Sequence, residues 1–196
     1  MMNGSEPRKR TAVLIYPGFC NFEIAPALEM LALAGKPITV FARRKALVKS
    51  EEGLSVMPDK SIEELDIAQF DSLLLPGAED IREAVEDEAV LDFVRKFDGM
   101  PIGAISVGPV LLLKAGMLAG KPFMAGVDAR GLAEEGFTRE ELALLHDWPA
   151  NLRDPIPAGF LRSGNIVTAM CSGFLPWAME FGEMLGIETN RKTFGL

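Results

Sequence analysis

Few residues in this chain can do covalent or acid–base chemistry, and Ser106 is the most informative of them. It lies in Pro101-Ile102-Gly103-Ala104-Ile105-Ser106-Val107-Gly108-Pro109-Val110-Leu111-Leu112-Leu113, read as a buried strand that turns at one residue and runs straight into a helix. Ala104 and Gly108, two positions either side, are small enough to let strand and helix pass closely. Pro109 suits a first helical turn, where its missing N–H loses no partner. A side chain held at such a turn points out of the sheet beside free N–H groups, where many α/β enzymes place a nucleophile. A serine hydroxyl there needs an adjacent base. The chain has one histidine, His146, within Leu144-Leu145-His146-Asp147-Trp148 in its least regular stretch, and it reads as a surface or packing residue. Cys20 and Cys171 could be a displaced thiol nucleophile or a redox pair; two partly buried apolar residues is the favoured reading. One histidine and two cysteines rarely close a metal site, so neither metal nor cofactor is expected.

The elements that must position these residues alternate between strand-like apolar runs and helical stretches, the pattern of a parallel sheet covered on both faces. Thr11–Tyr16 reads as the first strand, 23–34 as a helix stopped by Gly35, and Pro37–Ala42 as the second strand. The segment 48–57 reads as irregular or a small hairpin, and Ser61-Ile62-Glu63-Glu64 as a capping box opening a short helix. Ser72–Leu75 is a third strand, ended by Pro76-Gly77, and 87–97 an amphipathic helix. After the Ser106 strand and its helix, 123–125 reads as a short strand. Thr138-Arg139-Glu140-Glu141 forms a second capping box, starting a helix to about Leu145. Two strands flank the turn at Ser163-Gly164, and 174–185 is the last helix. The fold class is a single-domain, doubly wound, mostly parallel α/β sheet, flavodoxin-like, over 11–196, with 1–10 as a flexible leader. Ligands of such sheets bind outside the carboxyl ends of the strands. That rule gathers 16–23, 76–80, 106–108 and 170–173 on one rim.

Composition narrows the function. A chain of 196 residues, 48% of them hydrophobic, can bury a core without disulfides or metals. The formal charge of −8, from 20 basic and 28 acidic residues, disfavours nucleic acid as a partner. The Arg43-Arg44-Lys45 cluster could hold a dinucleotide phosphate, but Pro17-Gly18-Phe19-Cys20 lacks the three-glycine fingerprint, so the cluster reads as a solvated loop. No apolar run is long enough to span a bilayer, and no secretory signal is read, so no membrane partner and a cytoplasmic location are expected.

Four segments resemble the ThiJ/PfpI family of the class I glutamine-amidotransferase-like superfamily: AVLIYPGFCNFEIAPALEML, FDSLLLPGAED, IGAISVGPVLLLKAGMLAGK and SGNIVTAMCSG. They span roughly 11–187. The resemblance implies a reactive cysteine at the elbow, an acidic residue from the first helix, and often a histidine beside the cysteine or in a later loop. It also implies amidase, protease, glyoxalase-like, deglycase-like, isocyanide-hydrating, chaperone-like or regulatory activity, often in a homodimer. Carried over, Glu23 matches the acidic position, and Gly77 and Ala78 match the turn whose backbone N–H groups help form an oxyanion pocket. Ser106 stands at the cysteine position, Val107 at that of the adjacent histidine, and Phe123-Met124-Ala125-Gly126-Val127-Asp128 offers no histidine downstream.

A carboxylate is normally too acidic to take a serine proton well, so Glu23 reads as a buried, protonated acid that satisfies the Ser106 hydroxyl. The leading expectation is therefore a divergent member without Cys/His chemistry. It would bind an unknown small molecule or anion at the elbow through Ser106, Val107, Gly77, Ala78 and Cys20. The alternatives are a serine- or Glu23-dependent hydrolase or amidase, a glyoxalase-like enzyme, and a dimeric stress-related interaction protein. A homodimer is expected in each case.

Overall fold

A computed structural model describes residues 8–189 and 191–195. Of the expected leader, 1–7 lie outside the described residues. The chain runs through β1 (Arg10–Leu14), α1 (Asn21–Leu33), β2 (Ile38–Ala42), β3 (Val48–Lys49), β4 (Ser55–Val56), β5 (Lys60–Ser61) and β6 (Phe70–Leu75). It continues through α2 (Arg82–Glu86), α3 (Glu88–Arg95), β7 (Ile102–Ile105), α4 (Pro109–Lys114), β8 (Phe123–Met124), α5 (Ala129–Glu134) and β9 (Leu145–His146). Last come α6 (Trp148–Arg153), β10 (Leu161–Ser163), β11 (Ile166–Ala169) and α7 (Phe174–Met184).

Apolar residues dominate β1, β6 and β7 because these strands lie inside a seven-stranded sheet of order β10-β11-β7-β6-β1-β2-β5. Every neighbouring pair is parallel except β10 with β11. Register puts Gly103, Leu74 and Val13 on one face, and Leu14 and Phe41 on the other. The first face receives α7. A Cβ on Gly103 would come within 3.0 Å of both Phe181 and Trp177, so glycine is what lets α7 seat there. Both aromatic residues are fully buried, and the Trp177 indole N–H donates to the Val167 carbonyl at 3.2 Å. Truncating either to alanine would cost about 3–5 kcal/mol. On the opposite face Phe41 meets Phe93 at 5.1 Å and Phe70 at 5.4 Å, which ties α3 to the sheet.

The expected small hairpin forms as β3–β4, and the late hairpin as β10–β11. The capping box at Ser61 is present, although it opens only a single tight turn, Ile62–Glu64. The second box behaves differently. The Thr138 amide donates to Glu141 at 2.7 Å and the Glu141 amide to Thr138 Oγ1 at 3.2 Å, yet turns follow instead of a helix. Leu145 is drawn into β9, which pairs with β8 in a separate two-stranded sheet, leaving too few residues for a stable helix. The short helices α2, α5 and α6 also lie where no helix was expected.

Candidate functional site

Ser106 has φ +58°, and it is the only non-glycine residue with positive φ among the described residues. Left-handed backbone costs an L-residue roughly 1–2 kcal/mol, so its neighbours must hold it there. They do so on both sides. The Ser106 amide donates to Ala169 of β11 at 2.8 Å, and its carbonyl accepts from the Gly126 amide at 2.7 Å. Gly108 makes the turn into α4 feasible: a Cβ there would lie 2.6 Å from the Pro76 carbonyl oxygen and 2.9 Å from that of Leu75.

Three segments then converge on the serine. A Cβ at Gly77 would lie 2.8 Å from Ser106 Oγ and 2.3 Å from Glu23 Oε2, and one at Gly126 would lie 3.3 Å from Ser106 Oγ. Glu23, in the first turn of α1, is 4% exposed. Its Oε2 accepts from the Gly77 amide at 2.8 Å. Burial pushes the Glu23 carboxyl above the ordinary carboxylate value, and nearby Glu51 and Glu52 push the same way; hydrogen bonds from Ser106 and the Gly77 amide pull against them. The serine and the acid are therefore neighbours, as expected. Gly77 plays a different part from the one expected, because Glu23 consumes its N–H and the residue contributes room in place of a donor. The Ala78 and Val107 amides donate to no described residue, which leaves two donors at the elbow. Six-residue α4 is too short for a sizeable macrodipole.

The loop before α1 is fastened by pairing of Phe19 with both Ser50 and Ala78. Tyr16 closes the floor by donating its hydroxyl to the Pro76 carbonyl. Cys20, at the α1 N-cap, makes no cap with its own side chain. Glu52 replaces it from the β3–β4 turn, accepting from the Phe22 amide at 2.8 Å and the Asn21 amide at 3.3 Å. Burial opposes its ionisation, but bonds from Ser50 and these amides hold Glu52 down to about 2. Nothing in local sequence signals that capping from thirty residues away.

Neither cysteine is poised as a thiolate. Burial pushes the Cys20 thiol up, as does the neighbouring Glu51 carboxylate, and its Sγ donates to Glu52 Oε1 at 3.6 Å; Cys171 is raised by burial and then by the charge of Glu23. Cys20 Sγ and carboxylate oxygens of Glu51 and Glu52 lie within 4.8 Å of one another, a donor set not foreseen from sequence. Both Glu52 oxygens already serve the start of α1. His146 Nε2 is buried without a hydrogen-bond partner, so that nitrogen is not bonded to Ser106. The basic cluster is partly neutralised, since Arg43 pairs with Asp87 at 2.7 Å and Glu63 at 2.9 Å. No helix among the described residues is long and apolar enough to cross a membrane.

A parallel sheet wrapped by helices, with a serine in left-handed backbone between strand and helix, defines a doubly wound α/β protein of the nucleophile-elbow class. The chain belongs to the DJ-1/PfpI family, whose sequence profile matches residues 9–175. It is 34% identical over 140 residues to protein/nucleic acid deglycase 2 of Escherichia coli, covering 67% of this chain and 81% of that protein. A deglycase of Pyrococcus abyssi is 25% identical over 179 residues, or 90% of this chain and 99% of the relative. Among solved structures, a DJ-1 superfamily protein of Agrobacterium tumefaciens shares the fold at a TM-score of 0.77 and 21% identity, covering 95% of this chain and 94% of that one. DJ-1beta of Drosophila melanogaster does so at 0.73 and 22%, covering 92% of each.

Proposed function

We propose that this chain is a divergent DJ-1/PfpI protein that binds a small molecule at the elbow without the thiol chemistry its resemblance implies. One observation carries the reading. Ser106 Oγ has a buried carboxyl as its polar neighbour, that carboxyl is pushed towards its protonated form, and His146 Nε2 does not bond the hydroxyl. A carboxyl is a weak base, and it does not take the proton of a serine hydroxyl well. The unpaired Ala78 and Val107 amides support binding of a ligand oxygen beside the hydroxyl.

The test is a screen of purified protein against ester, amide and dicarbonyl substrates, paired with ligand-dependent melting. The expected result is thermal stabilisation by some of these compounds with no turnover that depends on Ser106. Turnover abolished by Ser106→Ala in a protein of unchanged melting temperature contradicts the proposal.

A second reading has its own support. Several relatives are named deglycases, and a carboxyl with raised pKa is better matched to general acid–base work near neutrality than an ordinary one. In that reading Glu23 processes a carbonyl compound. Its signature is dicarbonyl or adduct turnover that survives Ser106→Ala and is lost in Glu23→Gln.

A further inference from the structure

Beyond the carboxyl ends of β1 and β2 lies a cavity of about 360 Å³, whose lining includes none of Ser106, Glu23 and Gly77. Small ligands of parallel sheets bind in cavities of this size and place. Buried Leu14, Ala84 and Val90 give it apolar walls, and Leu47, also in the lining, is 66% exposed. The two strands part where Ile15 and Arg43 line the cavity. Their last shared bond runs from the Ile15 amide to the Phe41 carbonyl at 2.8 Å. Parallel ladders continue in even steps, so the next rung would join the Arg43 amide to the Ile15 carbonyl. The chain bends at 43–46 and that rung is missing. Neither group has a hydrogen-bond partner among the described residues, although Ile15 is buried. Buried main-chain groups are nearly always paired, so this orphaned donor and acceptor point to an occupant.

Four charged side chains line the cavity, and two of them are already engaged. Arg43 pairs with Asp87 at 2.7 Å and with Glu63 at 2.9 Å. Asp87 also accepts the Ala89 amide at 2.9 Å. The other two, Arg44 and Glu83, are exposed and make no side-chain hydrogen bond or ion pair among the described residues. The cavity therefore offers one free charge of each sign beside one main-chain donor and one main-chain acceptor.

From this arrangement we infer that the cavity is a binding site for a zwitterionic dipeptide. A trans peptide group points its N–H and C=O in opposite directions, so a single one replaces the missing rung. Its N–H donates to the Ile15 carbonyl, and its carbonyl accepts from the Arg43 amide. The ligand's carboxylate pairs with Arg44, its ammonium with Glu83, and an apolar side chain rests on Leu14, Val90 and Leu47. A dinucleotide phosphate, weighed for the Arg43-Arg44-Lys45 cluster from sequence, would use Arg44 but meet like charge at Glu83. No covalent step is involved, and the site is independent of the elbow.

The probe is glycyl-leucine, set against N-acetylglycyl-leucine, glycyl-leucinamide and glycyl-N-methylleucine, which lack in turn the ammonium, the carboxylate and the peptide N–H. Binding is followed by calorimetry and by amide NMR, with Arg43 reporting on the cavity and Ala78 and Val107 on the elbow. Glycyl-leucine should shift the Arg43 amide and slow its hydrogen exchange. An exposed ion pair is worth up to roughly fivefold in affinity, which is the loss expected on acetylation or on amidation. N-methylation leaves the Ile15 carbonyl unpaired and should cost about tenfold. Arg44→Gln should weaken glycyl-leucine by up to roughly fivefold and leave glycyl-leucinamide unchanged. Glu83→Gln should weaken glycyl-leucine likewise and leave the acetylated dipeptide unchanged. Both side chains are exposed, so neither variant should change the melting temperature. Equal binding of the charged and the capped dipeptides overturns the zwitterion. An Arg43 amide that does not respond to glycyl-leucine overturns the site, whether nothing binds or the shifts gather at Ala78 and Val107; the elbow reading is judged separately by its own two amides.

Discussion

Gly77→Ala is the sharpest perturbation of the site that a single methyl group can make. The new Cβ would stand 2.3 Å from Glu23 Oε2, 2.7 Å from Ser106 Cβ and 2.8 Å from Ser106 Oγ. None of these atoms is a loose side-chain end. Glu23 is buried and bonded to the Gly77 amide, and Ser106 is fixed through its own backbone by Ala169 and Gly126. Overpacking of this kind costs about 1–3 kcal/mol. Displacing Glu23 also breaks its bond to the Gly77 amide, and an unsatisfied buried group adds about 1–3 kcal/mol. A total near 3 kcal/mol lowers the melting temperature by roughly 6–12 °C in a chain of this size. The assay is calorimetry or thermal circular dichroism on Gly77→Ala, Glu23→Ala and the double variant. Because Glu23→Ala removes the nearest clash, the two changes should be non-additive by more than about 1 kcal/mol. Gly131→Ala is the control. Its Cβ would meet nothing within 4 Å in α5, so it should be neutral or stabilise by up to about 1 kcal/mol. An unchanged melting temperature for Gly77→Ala, or strict additivity with Glu23→Ala, refutes the packing described around the serine.

The raised pKa of Glu23 means that the native state holds a proton the unfolded chain has released, so stability is full below the ordinary carboxylate value and falls as pH rises towards the raised one. Urea unfolding between pH 4 and 8 should show that loss in the native protein and a flatter profile in Glu23→Gln; identical profiles contradict it. Both thiols should be alkylated by iodoacetamide at pH 7 more slowly than glutathione, because each is pushed above the usual thiol range. A rate matching or exceeding glutathione's would show an activated cysteine. Gly126→His places a side chain whose Cβ is 3.3 Å from Ser106 Oγ. With Ser106→Cys it should give faster alkylation near neutral pH than Ser106→Cys alone, and equal rates would mean that position 126 does not face the elbow.

The elbow was legible in sequence because small residues and a proline around Ser106 are local requirements of one turn. The central strands were legible for a similar reason: burial on both faces demands apolar runs, as in Ala12–Leu14 of β1 and Leu73–Leu75 of β6. What escaped depends on distant partners. The Thr138 box formed its hydrogen bonds and still lost its helix to the pairing of β9 with β8. Glu52 caps α1 from another loop, and Glu23 takes the Gly77 amide that the motif alone would assign to a ligand. Gly126 carries no chemical group, so its position over Ser106 shows only in three dimensions.

The central claim is that nothing beside Ser106 can take its proton at neutral pH. Incubation with an excess of a fluorophosphonate that labels activated serines, followed by intact mass and peptide mapping, tests it most directly. Unmodified Ser106 after prolonged exposure at pH 7 is the predicted result. A stoichiometric adduct on Ser106, absent from Ser106→Ala, would show a base at work and contradict the account.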